Sequence, residues 1–332
     1  MTNNSSNGLH LSRRGALMAA AGAALAPAVG SILTGRAQAK APMLGVSAPE
    51  VHRVKLGDFE ITTIRDGAVQ LDGPHPIFGH NQTPEDVQAH ARDNFLPPDR
   101  MEISFTPVIV NTGDELVIFD AGNGAGRRPN AGKLAATLGA AGYTPDQVDK
   151  VILTHFHPDH TGGLMEDGAS LFPNASYVMP EAEYAFWTSP DRMGTPAEGV
   201  AKLTQSNVVP HAEKATFIKD GASVAKGITA IDTSGHTPGH TAYMIESGGK
   251  PFLLWGDLAN HYVLSLQKPD WHVVFDTDKD KAAEARKKTL DMVAKDRIPA
   301  TGYHMPFPAI GYLERHGDGY RWVPASYQLN LD

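Results

Sequence analysis

Between positions 155 and 160 the chain reads His155-Phe156-His157-Pro158-Asp159-His160, four ligand-type side chains within six residues. Imidazole nitrogen and carboxylate oxygen are the donors that borderline divalent ions such as zinc accept. Side chains two apart in extended chain point the same way, so His155 and His157 can grip one ion together. Pro158 then forces a turn that presents Asp159 and His160 in another direction, toward a second ion. The chain has no cysteine, which excludes disulfides, zinc–thiolate sites and thiol nucleophiles. Its 15 histidines are the reservoir of metal ligands and proton carriers. There is no G-x-S-x-G elbow either, so metal-assisted hydrolysis is expected rather than attack by a side chain.

The elements that must position this run lie on both sides of it. The apolar triplet Val151-Ile152-Leu153 reads as a buried strand feeding directly into His155. Upstream, 51–71 reads as short strands with hairpin dipeptides at Gly57-Asp58 and Asp66-Gly67. A long loop over 74–98 carries a short helix after Thr83-Pro84, and 105–110 and 116–119 form a second hairpin. Helices are expected at 133–141, 181–187 and 279–294, and strands at 177–179, 228–231, 241–245 and 252–255. Arg286, Lys287 and Lys288 fall late in the last helix, as its dipole prefers. That order suggests one domain of two stacked sheets with helices outside. Ahead of it, Ser12-Arg13-Arg14, a Gly- and Ala-rich stretch and Ala37-Gln38-Ala39 resemble a twin-arginine export signal over 1–39. Cleavage near Ala39–Lys40 would leave a soluble periplasmic or secreted protein over 40–332 with no membrane span.

The run has the form H-x-H-x-D-H, and other segments accompany it in a fixed order. Phe119-Asp120-Ala121-Gly122 comes before it; Gly235-His236-Thr237-Pro238-Gly239-His240, Gly256-Asp257 and Tyr303-His304 follow. Together they resemble the signature of the metallo-β-lactamase superfamily, over about residues 50–325. The resemblance implies an α+β fold, an αββα sandwich of two mixed sheets with outer helices and metals at one edge. It implies that His155, His157 and His240 hold one ion, that Asp159, His160 and His304 hold the other, and that Asp257 bridges them. Asp257 and Asp159 are then the catalytic candidates. His236 is the weaker ligand candidate, expected to pack or cap. Asp120 is expected to brace the metal loop or fix a histidine tautomer. Two divalent ions about 3.5–4 Å apart hold a bridging hydroxide at neutral pH, which would attack the substrate. Zinc is the expected metal, and manganese, cobalt or iron suit the same donors.

Longer stretches narrow the resemblance to methyl parathion hydrolases and related lactonases and arylesterases. They are Leu56-Gly57-Asp58-Phe59-Glu60-Ile61-Thr62, Ala141-Gly142-Tyr143, Gly162-Gly163-Leu164, Phe172-Pro173-Asn174-Ala175 and Gly319-Tyr320-Arg321-Trp322-Val323-Pro324. Arg127-Arg128 stands where that group has a phenylalanine, and 195–207 lacks its aromatics. Lactone or aryl-ester hydrolysis therefore ranks above phosphotriester hydrolysis. Phe78, Phe95, Trp187, Trp271 and Phe307 are the candidate pocket walls, with Arg127 able to meet an acyl or carboxylate group. The alternatives are a glyoxalase II-like thioester hydrolase and a non-catalytic periplasmic metal-binding protein. The net charge of -8 argues against nucleic acid as a partner. Small esters, lactones or phosphotriesters are the expected clients, and a second copy of the chain, as a homodimer, is the one protein partner considered.

Overall fold

β-branched and aromatic runs set the strands. β1 (Val51–Leu56) turns through Gly57-Asp58 into β2 (Phe59–Ile64), with Leu56 opposite Phe59. Gly57 has φ +58°, the left-handed backbone that a two-residue hairpin turn requires. This computed structural model describes residues 41–330; the leader expected over 1–39 lies outside the described residues.

The second expected hairpin, at Asp66-Gly67, does not form. β3 (Gly67–Asp72) pairs instead with β4 (Arg100–Phe105), with α1 (Pro84–Asp93) between them. Thr83 caps α1, its hydroxyl accepting from the Asp86 N–H at 3.2 Å, as the Thr-Pro start suggested. The strand expected over 105–110 is broken at Thr106-Pro107, because proline cannot continue a ladder. Val108–Asn111 becomes β5, in a different sheet from β4, and pairs with β6 (Leu116–Phe119).

From there the chain runs α2 (Leu134–Ala140), β7 (Lys150–Ile152), α3 (Pro158–Thr161), the ribbon β8 (Met165–Glu166) and β9 (Ala169–Ser170), then β10 (Ser176–Pro180). α4 (Glu181–Thr188), α5 (Glu198–Leu203) and β11 (Ala215–Ile218) complete the first half. The second half is β12 (Ser223–Ala225), β13 (Ile228–Asp232), β14 (Thr241–Ser247), β15 (Lys250–Leu254), α6 (Lys279–Asp296), β16 (Ala300–Thr301), β17 (Ile310–His316) and β18 (Gly319–Pro324). One seven-stranded sheet has the order β1-β2-β5-β6-β7-β10-β11, and the other runs β12 to β18 in sequence.

Their inner faces share one core, in which Phe59, Val117 and Phe119 of the first sheet meet Ile228, Tyr243 and Phe252 of the second. Leu134 and Leu138 of α2 cover the outer face of the first sheet, and Leu290 and Val293 of α6 cover the second. The result is the expected αββα sandwich, driven by apolar burial on three layers. Among the described residues no helix is long and apolar enough to cross a membrane.

Two details fix the edge that matters. After α3, a Cβ on Gly163 would lie 2.0 Å from the Ala121 carbonyl oxygen, so the 120–124 loop can pack only against glycine there. Gly163→Ala is expected to cost about 3 kcal/mol through this overpacking, read as a lowered urea midpoint. The loop after β15 carries His261, whose Nδ1 accepts from the Val263 and Leu264 N–H groups at 3.0 and 3.2 Å. Burial and the nearby His90 lower its pKa from 6.5 to about 3. The unfolded ring takes a proton below 6.5 and the folded ring does not until about 3, so stability present above 6.5 drains away as pH falls across that window. Metal-free His261→Gln, which keeps an acceptor without a basic group, should lose less stability between those limits than the parent in urea titrations.

Candidate active site

The strand ends converge at one edge of the sandwich. β7 leads into His155, His157 and α3; β13 leads into His236; β15 leads into Asp257; β16 leads into His304. Two groups of side chains result, each with its donor atoms within 4.8 Å of one another. His155, His157, His236 and Asp257 form the first, and Asp159, His160, Asp257 and His304 the second. Asp257 belongs to both. His236 Nε2 lies 3.4 Å and His155 Nε2 3.8 Å from Asp257 Oδ2, and His160 Nε2 lies 3.2 Å from Oδ1. Asp159 Oδ2 is 3.5 Å from both His160 Nε2 and His304 Nε2. A tetrahedral ion bonded at about 2.0–2.1 Å sets its ligand atoms roughly 3.4 Å apart, so these spacings fit one ion per group.

Hydrogen bonding behind the histidines sets which nitrogen faces inward. A carboxylate can only accept, so His160 Nδ1–H donates to Asp120 Oδ2 at 2.8 Å and His236 Nδ1–H donates to Asp276 Oδ1 at 2.8 Å. His304 Nδ1–H donates to the Ser104 carbonyl at 2.8 Å. Thr154 spends its hydroxyl proton on Asp120 Oδ2 at 2.9 Å, so its oxygen accepts from His155 Nδ1–H at 3.0 Å. All four Nε2 atoms therefore turn lone pairs toward the site, and those of His155 and His160 are buried with no hydrogen-bond partner. His236 Nε2 also meets His157 Nδ1 at 2.9 Å and His304 Nε2 meets Asp257 Oδ2 at 3.0 Å, so imidazole nitrogens and carboxylates converge as a pair of divalent cations requires. Asp120 stands where the sequence placed it, bracing the metal loop through Thr154 and His160, and its backbone adopts φ +62° to do so.

One expected ligand is in the wrong place. His240 stands outside both groups, because its Nδ1 pairs with Thr233 Oγ1 at 2.8 Å and its Nε2 accepts the Asp257 N–H at 3.0 Å. Its lone pair is used to hold the Asp257 backbone. His236, expected only to pack or cap, occupies the vacated position. Two other residues, Glu183 and Asp276, went unremarked in the sequence, and Arg286 was expected only as a late-helix charge. Glu183 is fully buried and accepts from the N–H groups of Phe156 and Gly239, at 3.1 and 2.7 Å, tying the two histidine loops together. Asp276 backs His236, and Arg286 Nη2 donates to its other oxygen at 3.0 Å. Arg286 is no end-of-helix charge: α6 continues ten residues past it to Asp296, and its side chain is completely buried.

Electrostatics follow burial and the carboxylates. Burial, then neighbouring imidazoles, push His155 and His157 well below their ordinary value. Burial also works against a charge on His160 and His304, yet Asp257 and the other carboxylates raise both. Burial would raise the Asp257 carboxyl, but His304 and His160 hold it well below the usual range. Burial pushes the Tyr303 phenol well up, and the charges of Asp66, Asp120, Asp159 and Asp257 add to it. The field that draws protons to His160 and His304 also draws a divalent ion.

Both groups open on a cleft of about 350 Å³. Val69, Leu71, Ile103 and Phe105 of the β3–β4 ribbon form its apolar wall, facing Val200 and Phe275, with Arg127 also lining it. None of the five expected aromatic walls lines this cleft. Phe78 is buried edge-on against His261, and Trp271 packs on His90. Phe95 is 98% exposed. Trp187 wedges behind the His157 ring, its Nε1–H donating to Glu183 at 2.7 Å. Phe307 lines a separate hollow of about 270 Å³ that reaches His304 from the other side. The ribbon escaped the sequence reading because its strands are nearly thirty residues apart around α1.

The profile of the metallo-beta-lactamase superfamily matches residues 106–301, more than half of the chain. The N-acyl homoserine lactonase AttM of Agrobacterium fabrum is 31% identical over 127 residues, 36% of this chain and 44% of that protein. An atrochrysone carboxyl ACP thioesterase of Passalora fulva is 32% identical over 143 residues, 43% of this chain and 34% of that protein. The matched stretches thus span less than half the length of these curated relatives. Among solved structures, AidC, a dizinc quorum-quenching lactonase, superposes with TM-score 0.76 at 26% identity, over 84% of this chain and 98% of AidC. The hydrolase AbOPH gives TM-score 0.78 at 26% identity, over 85% of this chain and 99% of its own. With fold, ordered motifs and profile in agreement, the chain belongs to the metallo-beta-lactamase superfamily.

Proposed function

We propose that this chain is a two-metal hydrolase that opens acyl lactones, with aryl esters as secondary substrates. The observation that carries this reading is the single cleft in which both donor groups, joined by Asp257, meet the apolar wall of the β3–β4 ribbon. An apolar acyl chain fits against Val69, Leu71 and Ile103 while its carbonyl reaches the edge held by His157, His236 and Asp159. AidC was solved with the product N-hexanoyl-L-homoserine, which supports an acyl lactone as the client.

Two divalent ions, zinc by the nitrogen-rich donor set, would polarise that carbonyl and lower the pKa of water beside it. The chain's own residues do the rest. His155, His157 and His236 would hold one ion, Asp159, His160 and His304 the other, with Asp257 common to both groups. Asp159 is the carboxylate nearest solvent, its side chain 18% exposed against 4% for Asp257. It is therefore placed to take a proton from the attacking water and pass it to the leaving oxygen. Asp120 and Asp276 keep the His160 and His236 imidazoles from turning, and Glu183 ties together the loops that carry His157 and His236. Export by the Arg13-Arg14 leader completes the proposal, with the mature N-terminus near Lys40 as its check by mass spectrometry.

A panel of acyl lactones, aryl esters, phosphotriesters and thioesters, assayed on zinc-loaded protein, tests the substrate. Lactones should give the highest kcat/KM, with phosphotriesters at least tenfold lower. A thioester preference would move the assignment to the second reading, which the thioesterase relative supports. Two bound ions with no turnover across the panel would refute hydrolysis of these classes.

A further inference from the structure

The two donor groups differ in what stands behind them. His236 leans on Asp276, and that carboxylate is cancelled by a buried cation: Arg286 Nη2 is 3.0 Å from Asp276 Oδ2, with both side chains 0% exposed. Arg286 spends its remaining donors on the Leu258, Pro269 and Trp271 carbonyls, at 2.9, 3.0 and 3.2 Å, so it is locked in place. His160 leans on Asp120, whose oxygens meet only Thr154 and His160 and no Lys or Arg among the described residues. The second group also contains Asp159, an anionic donor that the first group lacks. Glu183 does not redress the balance, because its oxygens face N–H groups of Phe156, Gly239 and Trp187 rather than an imidazole.

We propose that Arg286 and Asp276 are positioning residues: they fix His236 with its Nε2 inward and, by cancelling each other's charge, make the His155/His157/His236 position the weaker of two unequal ion sites. The tautomer argument is direct. Asp276 has two acceptor oxygens, one for His236 and one for Arg286. Asparagine has one acceptor and one donor, so an amide there must point its NH2 at the guanidinium or at the imidazole. The first loosens the brace, and the second moves the ring proton to Nε2, where it blocks an ion. The charge argument is equally plain. Apart from the shared Asp257, the second position has Asp159 and Asp120 uncompensated, and the first has no uncompensated carboxylate on its imidazoles. A divalent cation is therefore held more tightly at Asp159/His160/His304.

This asymmetry rests on the two-ion reading but not on any substrate, and metal titration of the chelator-stripped full chain tests it. Competition with a chromophoric chelator should resolve two equivalents of zinc whose affinities differ at least tenfold. Manganese should widen the gap, because oxygen donors favour the harder ion. In a cobalt titration the first equivalent should give the visible spectrum of the oxygen-richer position and the second that of the three-histidine position. Asp276→Asn should weaken only the weaker equivalent, by about 10- to 100-fold, and leave the other unchanged. Asp120→Asn should weaken the tighter equivalent more than the weaker one, because it touches His160 directly and reaches His155 only through Thr154, and it remains informative if the Asp276 variant does not fold. Equal affinities in the parent would overturn the inference, as would an Asp276→Asn variant that alters the tighter equivalent or neither. Fewer than two equivalents in the parent would instead overturn the two-ion reading beneath it.

Discussion

Asp257→Asn should lower kcat/KM on the best lactone by at least about a thousandfold, some 4 kcal/mol of barrier, and reduce bound metal below two equivalents. Asp257 is the only side chain common to both donor groups. Its Oδ2 lies 3.0 Å from His304 Nε2 and accepts from Asn260 Nδ2 at 3.0 Å, while Oδ1 faces His160. An amide replaces one of these acceptors with a donor and removes the negative charge that both positions share. His160 and Asn260 are buried, so water cannot make up the loss to them. Metal analysis and steady-state kinetics on the same preparation check the two halves. Two bound ions and an unchanged rate would remove Asp257 from the bridging role.

The second large effect is on stability. Arg286→Ala should destabilise the protein by about 3–5 kcal/mol, the usual consequence of breaking a buried ion pair by deleting one partner. At roughly 2–4 °C per kcal/mol, the melting midpoint should fall by about 6–20 °C. The deletion leaves Asp276 with a charge balanced only by a hydrogen bond from His236, and strips donors from three carbonyls in the 258–271 segment, two of them in buried bonds. Arg286→Lys keeps the charge but not the fork that reaches four acceptors, so it should fall between parent and alanine. Calorimetry on metal-free protein separates this effect from ion binding. A midpoint within 2 °C of the parent, on the scale of about one kcal/mol or less, would mean the pair contributes nothing net.

The sandwich and the metal edge were legible because their signals are local. Gly57-Asp58 between alternating apolar residues makes a hairpin, and an H-x-H-x-D-H run after Val151-Ile152-Leu153 needs no distant partner to be read. What escaped depends on residues far apart. His236 and His240 sit four apart in one Gly- and Pro-rich turn, and the resemblance favoured His240 as the ligand. Asp276 and Thr233 decide between them, one turning His236 inward and the other holding His240 away. Arg286 reads as one of three basic residues on a soluble helix until packing shows that it alone faces inward. The cleft wall failed for a similar reason. Pro107 separates Phe105 from Val108 and sends the two into different ladders, which an unbroken apolar run conceals.

The donors are divided between the two sheets. Strands of the first supply His155, His157, Asp159 and His160; strands of the second supply His236, Asp257 and His304. Neither half of the chain can assemble either position alone, so each ion, once bound, would act as a noncovalent cross-link between halves joined in sequence only through 219–222. Free metal then becomes a stability variable, adding about 2.7 kcal/mol per site at a hundredfold excess over its dissociation constant. Chelation should consequently ease the parting of one sheet from the other, making the unloaded chain the form that proteases recognise.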